Sequence, residues 1–159
     1  MLKSISLIGM SNVGKSYWRE RASAAGFTPF WCDDRIEQKL GPYLLGKGFK
    51  GIEDVARWMG QPYEPQSPEN QALYLAQEIL VMEEAIRELR KGEERFVIDT
   101  TGSVIYTGEV VLTALRELST VVLLDASASL QAELYRQYLA NPKPVIWGEM
   151  YKPLDGETQ

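Results

Sequence analysis

The sequence predicts an α/β fold of three layers, with helices on both faces of a parallel sheet. Short apolar runs at 4–8, 96–99 and 120–124 alternate with longer amphipathic segments, the signature of β-α-β units rather than of a sandwich or a bundle. The run Gly9-Met10-Ser11-Asn12-Val13-Gly14-Lys15-Ser16 matches all four fixed positions of the phosphate-binding loop G-x-x-x-x-G-K-[ST]. It also lies where that loop belongs, between a strand and a helix. With 159 residues, 45% of them apolar, the chain has material for one domain with a real core.

The elements follow in order. Residues 4–8 read as a buried strand. A helix opens at Ser16 and runs to about Ala25, with Gly26 as its stop. Residues 27–32 form a short aromatic strand. Asp33 and Asp34 then start a helix with an acidic first turn, and Gly41-Pro42 is expected to end it. Residues 52–59 place Ile52, Val55 and Met59 on one helical face. Three prolines, Pro62, Pro65 and Pro68, mark a loop. Ser67 is expected to cap a long helix whose first position is Pro68 and whose end is Gly92. Strand 96–99 ends in Asp99. A helix at 108–118, a strand at 120–124 and a helix at 130–139 complete the pattern, and Asn141-Pro142-Lys143-Pro144 stops the last helix. The expected domain covers 1–151, with 152–159 a polar tail.

Composition excludes several classes. The net charge of −5 and the lack of a basic stripe argue against a nucleic-acid partner. The single cysteine, Cys32, permits no internal disulfide and suits a reducing, cytoplasmic setting. There is no histidine, which removes His-based acid–base catalysis, Ser-His-Asp triads and His-ligated zinc. The apolar start, 2–8, is too short for a signal peptide or a membrane span.

In open α/β sheets, ligands sit beyond the carboxyl ends of the strands. That rule gathers the loop residues Gly9, Ser11, Asn12, Val13, Gly14, Lys15 and Ser16, together with Asp33, Asp34, Asp99, Thr100, Thr101, Gly102, Ser103, Asp125 and Ser127; Tyr17, next in the helix, is expected to join the loop on the nucleotide, and Asp125 reads mainly as a solvated strand end. Loop amides and Lys15 suit phosphates, and the Ser16 hydroxyl suits Mg²⁺. Asp99 is expected on the metal; its alternative is a cap on the following turn. Asp33 could orient or deprotonate a substrate hydroxyl, or cap the helix that follows. Thr100, Thr101 and Ser103 could hold a ligand or satisfy their own turn. Cys32 reads as a small buried hydrophobe. The tryptophans read mostly as core, with Trp31 or Trp58 available to wall the acceptor side.

Beyond the loop, Asp33-Asp34-Arg35-Ile36-Glu37, the stretch Ile52 to Gln61, and Asn141-Pro142-Lys143-Pro144-Val145-Ile146 together resemble the shikimate kinase family over most of the chain. The resemblance implies a P-loop NTPase fold of the nucleoside-monophosphate-kinase type, with ATP and Mg²⁺ as cofactors. It implies transfer of the γ-phosphoryl group to a hydroxyl of a small-molecule acceptor. It also implies a nucleotide contact from Arg136 and acceptor contacts from Asp33, Gly102 and Lys143. The departures are specific. Trp31 stands where the family has the first aspartate of D-x-D. Leu75, in Tyr74-Leu75-Ala76-Gln77-Glu78, stands where it has the arginine of F-R-x-x-E. Thr100 and Thr101 replace two of three glycines, and Lys143 replaces a lid arginine. An acceptor other than shikimate is therefore expected. The chain ends at Gln159, before the family's last helix and strand, which implies a truncated chain or a sheet one strand smaller. A non-catalytic ATP-binding regulatory module, or a P-loop NTPase working for a partner, is the alternative; no N-K-x-D guanine motif supports the latter.

Overall fold

A computed structural model describes residues 3–49 and 51–147. Four strands, β1 (Ser4–Gly9), β2 (Thr28–Trp31), β3 (Phe96–Asp99) and β4 (Ser119–Leu124), form one parallel sheet in the order β2-β3-β1-β4. Among the described residues six α-helices connect and follow them: α1 (Lys15–Ala24), α2 (Cys32–Leu45), α3 (Gly51–Met59), α4 (Ser67–Lys91), α5 (Glu109–Leu118) and α6 (Ala128–Ala140). The polar tail expected at 152–159 lies outside the described residues.

Strand order and handedness assign the layers. From β1 the chain crosses to β2 in one direction; from β2 to β3 and from β3 to β4 it moves in the other. Right-handed crossovers taken in opposite directions put their helices on opposite faces. Accordingly α1 packs on β1, β2 and β3, while α2, α3, α4 and α5 share the main core cluster. Phe30, Ile36, Leu40, Val55, Met59, Val81, Met82, Ile98 and Leu115 are among its fully buried members. All four β3 residues are buried, as a central parallel strand requires. Pro29 is tolerated in β2 because that strand lies at the edge.

The reversal of direction between β1 and β3 creates the switch point of the sheet. The loops after these neighbouring strands diverge to opposite faces and leave a cleft between them. The register pairs Leu7 with Asp99 and Gly9 with Leu124. Gly9 has φ +144°, and an added Cβ there would lie 2.5 Å from the Leu124 carbonyl oxygen. Only glycine satisfies both the conformation and the close approach.

Two expectations are corrected. The helix starting at Asp33 does not end at Gly41-Pro42; α2 runs through both to Leu45. Proline inside a helix costs about 3 kcal/mol, but Pro42 falls near the end of α2, and Gly41 before it has no Cβ to clash with the ring. Leu40 and Leu44, either side of the proline, are both buried, and each such burial contributes about 1.5–3 kcal/mol. Ser67 does not cap α4. It is the first helical residue, Gln66 takes the cap position, and the Ser67 hydroxyl accepts from Gln71 Nε2 at 2.7 Å.

Gly9→Ala is expected to cost about 2–4 kcal/mol, because strain at positive φ adds to a backbone clash. Gly14→Ala, with φ +103° and no atom within 4 Å of the new Cβ, should cost less than half as much. Urea denaturation of the two variants checks the ranking.

Candidate functional site

The loop after β1 is shaped by three positive-φ residues, Gly9, Asn12 (φ +64°) and Gly14 (φ +103°). Asn12 is a residue type that tolerates the left-handed region. Gly14 caps α1, so the free amides of the first helical turn face the loop. Lys15 is only 8% exposed, and its ammonium donates to the carbonyls of Gly9 (2.9 Å) and Met10 (2.8 Å). Burial pulls its pKa below the usual lysine value, while Asp99 and Asp33 oppose that shift. The arrangement is that of a P-loop with its lysine folded back onto it.

Strand β3 delivers Asp99 beneath α1. Asp99 Oδ2 accepts from Ser16 Oγ at 3.0 Å and from Arg19 at 2.9 Å. Burial raises the Asp99 pKa against the pull of Ser16, Arg19 and Lys15. Arg19 also lies 5.3 Å from the Trp31 ring. Among the described residues no group of three or more His, Cys, Asp or Glu side chains could hold a metal ion. A paired serine hydroxyl and carboxylate nevertheless fits Mg²⁺, which is commonly held through one or two protein groups and takes its other ligands from phosphate and water.

These groups open into a cleft of about 510 Å³ that also receives Trp31, Asp33, Asp34, Glu37, Tyr74, Thr101, Gly102 and Lys143. Asp33 is open to cleft water but crowded by protein on its other sides. Burial, seconded by Asp99, lifts its carboxyl to about 6, with Lys15 and Lys143 pulling the other way. Lys143 comes from the segment after α6, where the Trp147 amide donates to Gln71 Oε1 at 3.0 Å. A second, largely apolar pocket of about 350 Å³ adjoins the cleft on the far side of Ser11 and Gly102, between the loop and α6.

The turn after β3 does not offer free hydroxyls. Thr100 Oγ1 donates to the Leu7 carbonyl at 2.7 Å, across to β1, with a longer contact of 3.3 Å to the Thr101 carbonyl in its own turn. Thr101 and Ser103 both donate to Glu78 of α4, Ser103 at 2.6 Å. Glu78 is wholly buried; desolvation raises its pKa to about 7, although both hydroxyls favour the ionised form. Gly102 between them presses against the loop, where a Cβ would come within 3.2 Å of Ser11 Oγ.

The structure therefore gathers Ser11, Asn12, Gly14, Lys15, Ser16, Asp33, Asp99, Gly102 and Lys143 in one cleft, with Gly9 holding Lys15 from behind. It does not gather three others. Arg136 is exposed on α6, pairs with Glu133 at 3.0 Å and leaves its place in the cleft to Gln137. Tyr17 is 57% exposed and meets Trp18 edge-on. Val13 packs beside Gly9, not into the cleft. Of the tryptophans only Trp58 is core; Trp18 and Trp31 are 52% and 45% exposed. Sequence reasoning missed Arg19 and Glu78 as site residues. Arg19 follows Ser16 by three and so shares its helical face; Glu78 was visible as the glutamate of the Tyr74-to-Glu78 match.

No family model and no curated protein matches the chain. Among solved structures the chain is similar to the shikimate kinase from Acinetobacter baumannii in complex with shikimate, with a TM-score of 0.62 at 22% identity, over 89% of this chain and 66% of that one. The chain thus spans just under two thirds of that protein's length. The fold is shikimate kinase-like: a parallel α/β sheet carrying a P-loop. Among the described residues no helix is long and apolar enough to cross a membrane.

Glu78 makes stability fall with rising pH. The folded carboxyl titrates near 7 and its ordinary value is 4.5, so the folded state holds the proton more tightly. That contribution is complete below about pH 4.5 and is lost as pH rises through 7, by roughly 3 kcal/mol. Glu78→Gln should flatten the fall, measured by urea denaturation of both proteins from pH 4.5 to 7.5.

Proposed function

We propose that the protein is a MgATP-dependent phosphotransferase that moves the γ-phosphoryl group to a hydroxyl of a small molecule. The observation that carries the reading is the convergence, in one cleft, of a phosphate-binding loop, the Ser16–Asp99 pair and a carboxylate free to take a proton, Asp33. Phosphoryl transfer asks a protein mainly for positioning and charge neutralisation, and these groups offer both.

In this reading the loop amides and Lys15 bind the phosphates, with Lys15 leaving the Gly9 and Met10 carbonyls for phosphate oxygens. Ser16 and Asp99 would hold Mg²⁺, which supplies neutralisation of phosphate charge. Arg19 then gives up its share of Asp99 or turns its guanidinium toward the phosphates. Asp33 accepts the proton of the acceptor hydroxyl. The hydroxyl oxygen bonds to the γ-phosphorus, the bond from that phosphorus to the β–γ bridging oxygen breaks, and ADP leaves with the electron pair. Lys143 offsets charge at the acceptor side. Shikimate is not the favoured acceptor, since Leu75 packs against the core rather than placing a cation in the cleft. The exposed position of Arg136 favours the competing reading, a nucleotide-binding module without transfer, and turnover separates the two.

Lys15→Ala should weaken ATP binding at least tenfold in calorimetry, because a charge-assisted contact to phosphate is lost. Asp33→Asn should abolish acceptor-dependent ADP release while leaving ATP affinity within about threefold. In the unaltered protein kcat/KM should fall below about pH 6, where the Asp33 carboxyl takes up its proton and can no longer accept one. Turnover that survives Asp33→Asn would reduce Asp33 to a first-turn carboxylate at the positive end of α2, where Trp31 already holds the cap position.

A further inference from the structure

We infer that the acceptor carries a cationic amine beside the hydroxyl it presents, as in an amino alcohol or an aminosugar, rather than a carboxylate. The inference rests on the phosphotransfer reading above and concerns the α2 end of the cleft.

That end is built on the first two turns of α2. Asp33, Asp34 and Glu37 all line it. Their spacing brings them together, Glu37 lying three and four residues after the aspartates. Among the described residues none of the three takes part in an ion pair. The positive end of the helix dipole favours the two aspartates in the first turn, but it fades before Glu37. Three like charges on one wall repel one another, and a cation seated among them relieves that repulsion.

The cations nearby are already committed. Lys15 lies in the loop and Arg19 is held by Asp99 at 2.9 Å. Among the described residues lining the cleft Lys143 remains, one uncommitted positive charge against three negative ones, and it and Lys15 both act on Asp33. The arginines on adjoining elements do not line the cleft. Arg35 stacks on Phe30 and pairs with Glu84, Arg57 pairs with Asp54, and Arg136 pairs with Glu133. A bound triphosphate adds further negative charge. A carboxylate acceptor would therefore enter a field of its own sign, whereas an ammonium group would be drawn in. Trp31, 45% exposed at the same end, adds an aromatic surface that already attracts the Arg19 cation.

The test uses matched probes with MgATP: 3-amino-1,2-propanediol, glycerol and glycerate, then glucosamine, glucose and glucuronate. The amine of a triplet is expected to exceed its acid in kcat/KM by about thirtyfold or more. Calorimetry with a non-hydrolysable ATP analogue present should rank the Kd values the same way. Glu37→Gln should raise KM for the amine about tenfold with kcat and the KM for ATP little changed, and Glu37→Lys should shift the preference toward the acid, a reversal that a merely structural role would not produce. Transfer to an acid or a neutral polyol as good as to the amine overturns this inference and leaves the phosphotransferase standing. If no probe of any charge is phosphorylated while ATP still binds in a Lys15-dependent way, both fall.

Discussion

The pairing of Leu7 with Asp99 is the constraint on which the site depends. It is a register between two parallel strands, and a slip of one residue would turn Asp99 to the opposite face. In the register observed, Asp99 emerges beneath the first turn of α1, within 3.0 Å of Ser16 and 2.9 Å of Arg19. The same alignment brings the turn after β3 against the loop after β1. Thr100 bonds back to the Leu7 carbonyl, and Gly102 meets Ser11 where no side chain would fit easily. Anion seat, carboxylate and turn are thus fixed together by one strand pair in the middle of the sheet, where every β3 residue is buried.

Electrostatics decides what such a cleft can accept. Burial pushes Lys15 toward its neutral form and Asp33, Asp99 and Glu78 toward theirs. Each charge is held less firmly than it would be in water. The groups offset one another in pairs: Lys15 leans on carbonyls and faces Asp33 and Asp99, and Arg19 neutralises Asp99. Asp34 and Glu37 fall outside that pairing. A phosphate-bearing ligand exchanges the contacts of Lys15 for stronger ones, but it does nothing for the acidic wall of α2. On the proposed reading, the loop and the α2 wall of the cleft therefore favour groups of opposite charge.

Much of this was legible from residues alone. The loop motif, the apolar runs and the acidic strand ends located the sheet, the seat and the Ser16–Asp99 relation, because these depend on local pattern and on a strand order that few topologies permit. The passage of α2 through Gly41-Pro42 was not legible, since it turns on Leu40 and Leu44 finding a core built largely by α4. Glu78 was legible as the glutamate of the Tyr74-to-Glu78 match but not as a buried group. Only the packing of α4 under the β3 turn makes it a buried partner for Thr101 and Ser103. Arg136 is the reverse case. Its position along the chain pointed to a nucleotide, but its place on the outer face of α6 gives it Glu133.

The turn after β3 carries the last step. Replacing glycines by Thr100 and Thr101 looks, in sequence, like an addition of ligand-binding hydroxyls. In the fold both hydroxyls, and that of Ser103, are spent on protein acceptors, one on a strand carbonyl and two on a buried carboxylate. A carboxylate with neither solvent nor a cation beside it needs such donors to remain in a core. The hydroxyls therefore support Glu78, and Glu78 in turn holds the turn in place over the loop. What the turn can offer a ligand is the backbone around Gly102. On the proposed reading, recognition at this wall thus falls to main-chain groups of fixed position, while the choice of acceptor falls to the charged side chains of α2 that line the same cleft.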